Sequence, residues 1–136
     1  MKLPIPVLSI ACLSVISGAF AGEMKAECPV GIPPTSIKVG EPVQGWVTTP
    51  QQMHLGAAGM MMGGPETAMY VDPVVSTKEK QVFEFDKDDG QRWLWCGYGG
   101  VQLTRRLDDR ARRCVLVIKT QRRDGAPTLT ALVECK

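Results

Sequence analysis

The chain has 136 residues, 44% hydrophobic and 22% charged, with a formal net charge of +2 at neutral pH. That balance fits a single folding domain and excludes a disordered chain. It also excludes nucleic-acid binding driven by bulk charge, and the single histidine excludes a catalytic zinc site built on two imidazoles.

Met1-Lys2 precedes an apolar run from Leu3 to Ala21, free of acidic residues and ending in Ala19-Phe20-Ala21. This small-x-small ending is what signal peptidase cleaves, so residues 1–21 read as a signal peptide and 22–136 as one mature domain. Pro4 and Pro6 shorten any helix in the run to about fifteen residues, below the roughly 20 that span a bilayer. No stable membrane anchor is therefore expected after cleavage. Lipidation at Cys12 would need a leucine three residues earlier, where Ser9 stands. The predicted location is the periplasm or the exterior.

Cys12 leaves with the signal, and Cys28, Cys96, Cys114 and Cys135 remain. An even count in an exported chain, with no C-x-x-C pair for zinc, points to two disulfides. Cys28 and Cys135 lie near the two ends of the mature chain, and chain ends of a compact domain often meet. Cys96 and Cys114 suit neighbouring antiparallel strands. The expected bridges are Cys96–Cys114 and Cys28–Cys135.

Short apolar stretches separated by Gly, Pro, Asp and Ser predict an all-β domain, a small antiparallel sandwich or partly open barrel. In chain order, Ser36–Val39 and Gly45–Thr49 read as short strands around a Gly40-Glu41-Pro42 turn. Gln52–Met62 reads as a strand or a short helix, Gly63-Gly64-Pro65 as a break, and Glu66–Tyr70 as one helical turn. Gln81–Asp86 puts Phe83 and Phe85 on one face. Asp88-Asp89-Gly90 turns the chain into Arg92–Tyr98, where Trp93 and Trp95 are expected to fill the core. Gly99-Gly100 then leads to Val101–Arg105, completing a predicted three-stranded meander. Asp108 starts a short helical turn through Ala111. Cys114–Lys119, apolar on both faces, reads as a central strand. Arg123-Asp124-Gly125-Ala126-Pro127 reads as a hairpin loop, and Thr128–Cys135 as the closing strand.

Candidate chemistry is sparse. No Ser sits in a G-x-S-x-G elbow, and the mature cysteines are committed to bridges, so His54 has no nucleophile to serve. Asp86, Asp88 and Asp89 lack the later ligands of a calcium loop and read as a solvated turn. Met53, His54, Met60 and Met62 carry soft ligands that suit Cu(I), an alternative reading as a periplasmic copper-binding protein. Three consecutive methionines in an extended strand cannot all face one ion, and Met also serves as apolar filler. No cofactor is expected. The sharpest charge feature is Arg105, Arg106, Arg110, Arg112, Arg113, Arg122 and Arg123. Residues 22–104 carry six Lys/Arg against ten Asp/Glu, a balance of −4, whereas residues 105–136 carry nine against four, a balance of +5. Arginine favours bidentate contact with carboxylates, so this third of the chain is the candidate surface for an acidic partner.

Cys28-Pro29, Gly45-Trp46, Gly64-Pro65, Val71-Asp72-Pro73 and Trp93-Leu94-Trp95-Cys96-Gly97-Tyr98 follow one another in the chain, and Leu103–Leu107 then runs into Cys114. This order resembles a family of small, uncharacterised exported proteins of proteobacteria, some encoded in type VI secretion gene clusters. The resemblance covers most of residues 28–118 and leaves out the Met60–Met62 stretch. It implies a single β-domain and an immunity protein that blocks a periplasmic toxin, and it brings no catalytic residues. The reading is therefore a non-enzymatic protein-binding domain whose partner is a secreted toxin or envelope enzyme. An envelope structural component is a further alternative.

Overall fold

The computed structural model describes residues 22–41, 43–67 and 69–136. The predicted signal peptide, Cys12 included, lies outside them, as do Pro42 of the predicted early turn and Ala68 of the predicted helical turn. The described residues form eleven strands, in order β1 (Lys25–Glu27), β2 (Gly31–Ile32), β3 (Met53–His54), β4 (Ala57–Met62), β5 (Met69–Val71), β6 (Val75–Ser76), β7 (Lys80–Glu84), β8 (Arg92–Tyr98), β9 (Val101–Arg106), β10 (Arg113–Arg123) and β11 (Ala126–Cys135). Pro34–Ser36 forms one 3-10 turn, and the described residues contain no α-helix.

Two antiparallel sheets carry the fold. One is five-stranded, β1-β11-β10-β7-β6, and the other four-stranded, β5-β4-β8-β9; β2 and β3 pair separately. The sheets do not close into a barrel. Their inner faces share one core. Met60, Leu94, Cys96 and Tyr98 come from the four-stranded sheet, and Ala26, Phe83, Cys114, Leu116, Ala131 and Val133 from the five-stranded one. The strand built on Val115-Leu116-Val117-Ile118 is central, between β11 and β7, as its apolar character on both faces predicts. Its hairpin to β11 closes on Asp124-Gly125 alone, with φ of 50° and 81°. Two consecutive positive φ values give the right-twisted two-residue turn that Asp-Gly favours. Ala126 and Pro127, read as loop, belong to the strand, with Arg123 facing Ala126.

The structure corrects the expected disulfides. The bridges are Cys28–Cys96 and Cys114–Cys135, with Cα–Cα separations of 5.8 and 4.1 Å. Hairpin register is the reason: Cys114 faces Cys135 directly across β10 and β11. Cys96 projects from the other sheet into the core, where Cys28, just past β1, meets it.

The predicted meander is also revised. β8 and β9 form a hairpin over Gly99-Gly100, but β7 pairs with β10 and β6 instead. The chain crosses between sheets over residues 85–91, and Arg92 organises that crossing. The residue is 2% exposed. It donates to the carbonyls of Asp86 at 2.6 Å, Asp89 at 2.7 Å, Ala111 at 3.2 Å and Gly90, and it lies 5.3 Å from the Phe85 ring centre. Phe83 and Phe85 are both buried, as their spacing predicts.

Trp93 and Trp95 do not fill the core. Along β8 the buried positions are Arg92, Leu94, Cys96 and Tyr98, so the two tryptophans share the outer, half-buried face. There the Trp95 indole lies over Gly59, where an added Cβ would come within 2.6 Å of Nε1, and Tyr70 packs edge-on against it with ring centres 5.6 Å apart. The Gln52–Met62 stretch is strand, split into β3 and β4, and Glu66–Tyr70 holds a turn leading into β5. The Ser36–Val39 and Gly45–Thr49 segments pair with no strand. The expected helical turn after Asp108 is a tight turn closed by the Ala111 amide donating to the Asp108 carbonyl at 3.0 Å.

Candidate protein-binding surface

The arginine-rich third folds into β9, the turn after it, and β10, and this arrangement separates the seven arginines. Four are held by acids. Arg105 meets Glu23 at 2.6 Å, Arg106 meets Asp109 at 2.7 Å, Arg110 meets Asp108 at 2.7 Å, and Arg113 meets Glu84 at 2.6 Å. The Asp108 pair is built most closely. Its carboxylate is 1% exposed and accepts from the Arg110 backbone amide at 2.8 Å as well as from Nε at 2.9 Å. The Arg110 side-chain and backbone donors hold the Asp108 carboxyl down at about 2. Arg110 in turn is raised by its hydrogen bond to Asp108. The Asp108 amide donates to the Glu23 carbonyl at 3.0 Å, so this turn also clamps the start of the described chain.

Arg112, Arg122 and Arg123 remain exposed, and none of the three has an acidic partner among the described residues. Arg112 precedes β10, whereas Arg122 and Arg123 end it beside the Asp124-Gly125 turn. At about 3.3 Å per residue the two groups lie roughly 30 Å apart, so the basic segment is not one patch.

The candidate metal ligands do not converge. Met60 is buried in the core and Met62 packs against it, whereas Met61, one residue between, points to the outer face beside Trp93. Met53 packs against the core, and its neighbour His54 is exposed. Adjacent residues on a strand project to opposite faces, and that alone divides the set. His54 instead lines a shallow cleft with Gly31, Gln52, Arg123 and Asp124.

Sequence reading missed two features that lie outside the arginine-rich segment. One is the buried Arg92, whose position is legible only once Cys96, on the same parity, is known to point inward. The other is the outer face of the four-stranded sheet, where Tyr70 donates to Gln102 at 3.0 Å and Trp93 to Gln91 at 3.0 Å.

No curated protein and no solved structure matches the chain. Residues 49–136, from just before β3 to the C-terminus, match the family described as type VI secretion system Tli immunity protein. The match spans well over half the chain and takes in both large sheets apart from β1. It agrees with the likeness carried by the Trp93–Tyr98 segment and Cys114, and the chain belongs to the type VI secretion system Tli immunity protein family.

Proposed function

We propose that this chain is a periplasmic antidote that binds a toxic type VI effector and covers its active site without chemistry of its own. Family membership over residues 49–136 carries the reading. Two disulfides, formed by four buried or half-buried cysteines, suit an oxidising compartment. The arginines of residues 105–123 that have no internal acid, Arg112, Arg122 and Arg123, supply the polar part of the contact, and the mechanism is occlusion of the effector's cleft by a rigid β surface.

The test uses the effector encoded beside this gene. The effector is directed to the periplasm of a susceptible host, with and without this chain in its exported form. The expected result is growth only when both are present, together with a complex of the purified proteins. Loss of viability despite folded, exported chain, with no complex, would sink the reading.

A further inference from the structure

The β10–β11 hairpin runs past the strands that flank it, and at its tip Arg123 and Asp124 wall a cleft whose other side is Val30, Gly31, Gln52 and His54. β10 pairs with β7 only as far as Val117, and β11 pairs with β1 only from Leu132 onward. Between these points the two arms pair with each other alone, from Lys119 opposite Thr130 to Arg123 opposite Ala126. Residues 119–127 are exposed without a break. The free ribbon is about 13 Å long, from four strand steps of roughly 3.3 Å.

This ribbon is held stiffly. The hairpin it belongs to is crossed at its far end, five residue pairs from Lys119, by the Cys114–Cys135 bridge, and its arms are kept in register by an unbroken ladder. Its tip is fixed by the two-residue Asp124-Gly125 turn. The charge is one-sided: Lys119, Arg122 and Arg123 stand against Asp124 alone. Arg122 and Arg123 are adjacent on a strand and therefore project to opposite faces of the ribbon. Four of the five arginines nearer the body are spent on internal acids, whereas these two have none among the described residues. A guanidinium exposed without an acidic partner at a preorganised hairpin tip loses little freedom when it binds a carboxylate.

We infer that the Arg122–Arg123 tip of this hairpin is the element that enters an acidic cleft of the effector protein. This inference rests on the antidote reading and sharpens it. The occupant is a protein groove lined by carboxylates, and the exposed Arg122 and Arg123 guanidinium groups meet its acids.

The experiment measures the affinity of the mature chain for the purified neighbouring effector, in wild type, the R122E/R123E double variant and Tyr70→Ala on the outer aromatic face. Near-UV circular dichroism and a thiol count establish that each variant is folded and bridged. R122E/R123E is expected to weaken binding by at least about 30-fold, the scale of an arginine hot spot. It is also expected to flatten the salt dependence of the dissociation constant, while Tyr70→Ala binds as wild type does. If wild type binds and R122E/R123E binds within about 3-fold of it, this inference is overturned while the antidote reading stands. The same holds if Tyr70→Ala abolishes binding and the double charge reversal does not. If wild type itself does not bind, both fall.

Discussion

The two disulfides hold the molecule in different ways, and removing each in turn separates them. Cys114–Cys135 joins residues already opposed in a ten-pair hairpin, across a sequence separation of 21. Cys28–Cys96 joins the segment just past β1 to the four-stranded sheet across a separation of 68. In the chain-entropy description, closing loops of these lengths removes unfolded-state freedom equivalent to about 3.4 and about 4.4 kcal/mol. The C28A/C96A variant also loses sulfur packing where both cysteines are buried in the core. It is therefore expected to lose about 4 to 5 kcal/mol, against about 3 for C114A/C135A. Domains of this size are stable by roughly 5–15 kcal/mol, so the first variant stands near the edge of unfolding. Urea denaturation followed by tryptophan emission measures both losses, because Trp93 and Trp95 sit half-buried on the sheet that Cys96 anchors. Peptide mapping of the unreduced protein checks the pairing itself. A larger loss for C114A/C135A, or a peptide joining Cys28 to Cys135, would refute the reasoning.

Three further outcomes follow from the packing. Asp108 has a folded-state pKa of about 2, below its ordinary value of 3.8. Its contribution to stability is therefore complete above pH 4 and lost as the pH falls toward 2; Asp108→Asn should lower stability at neutral pH and flatten the acid limb of a stability–pH curve between pH 4 and 2. Arg92→Met leaves the carbonyls of Asp86, Asp89, Gly90 and Ala111 without their shared donor, and should cost about 3 kcal/mol or more in thermal or urea unfolding. Gly59→Ala forces the Trp95 indole off the sheet, with an expected loss of about 1–3 kcal/mol and a red-shifted tryptophan emission. An unchanged emission maximum and midpoint would mean that the ring does not rest on Gly59.

Much of the architecture was legible in the residues. Val115-Leu116-Val117-Ile118 announces a strand central in its sheet, and Asp124-Gly125 announces the hairpin that follows it. Gly99-Gly100 marks the β8–β9 turn, and the alternation of Phe83 and Phe85 gives their common buried face. These signals are local: backbone preference at a turn and side-chain period along a strand act over a few residues. The family likeness was legible for the same reason, since it rests on a contiguous segment around Trp93–Tyr98.

Tertiary structure decided the rest. β8 carries Arg92, Leu94, Cys96 and Tyr98 on one parity and Trp93, Trp95 and Gly97 on the other, and either set is apolar enough to face a core. The choice was made by Cys28, which reaches Cys96 from a distant strand, and by the carbonyls that receive Arg92. Likewise, the run of arginines is visible in the chain, but which of them are free is not. Glu23 and Glu84 reach Arg105 and Arg113 only after the sheets assemble, whereas Asp109 and Asp108 hold Arg106 and Arg110 within one local turn. Sequence alone determined that this is a two-disulfide β-domain with a basic C-terminal third. The pairing of its cysteines, the face its tryptophans occupy and the two arginines left at the hairpin tip depend on contacts between residues far apart in the chain, which only the folded molecule brings within reach.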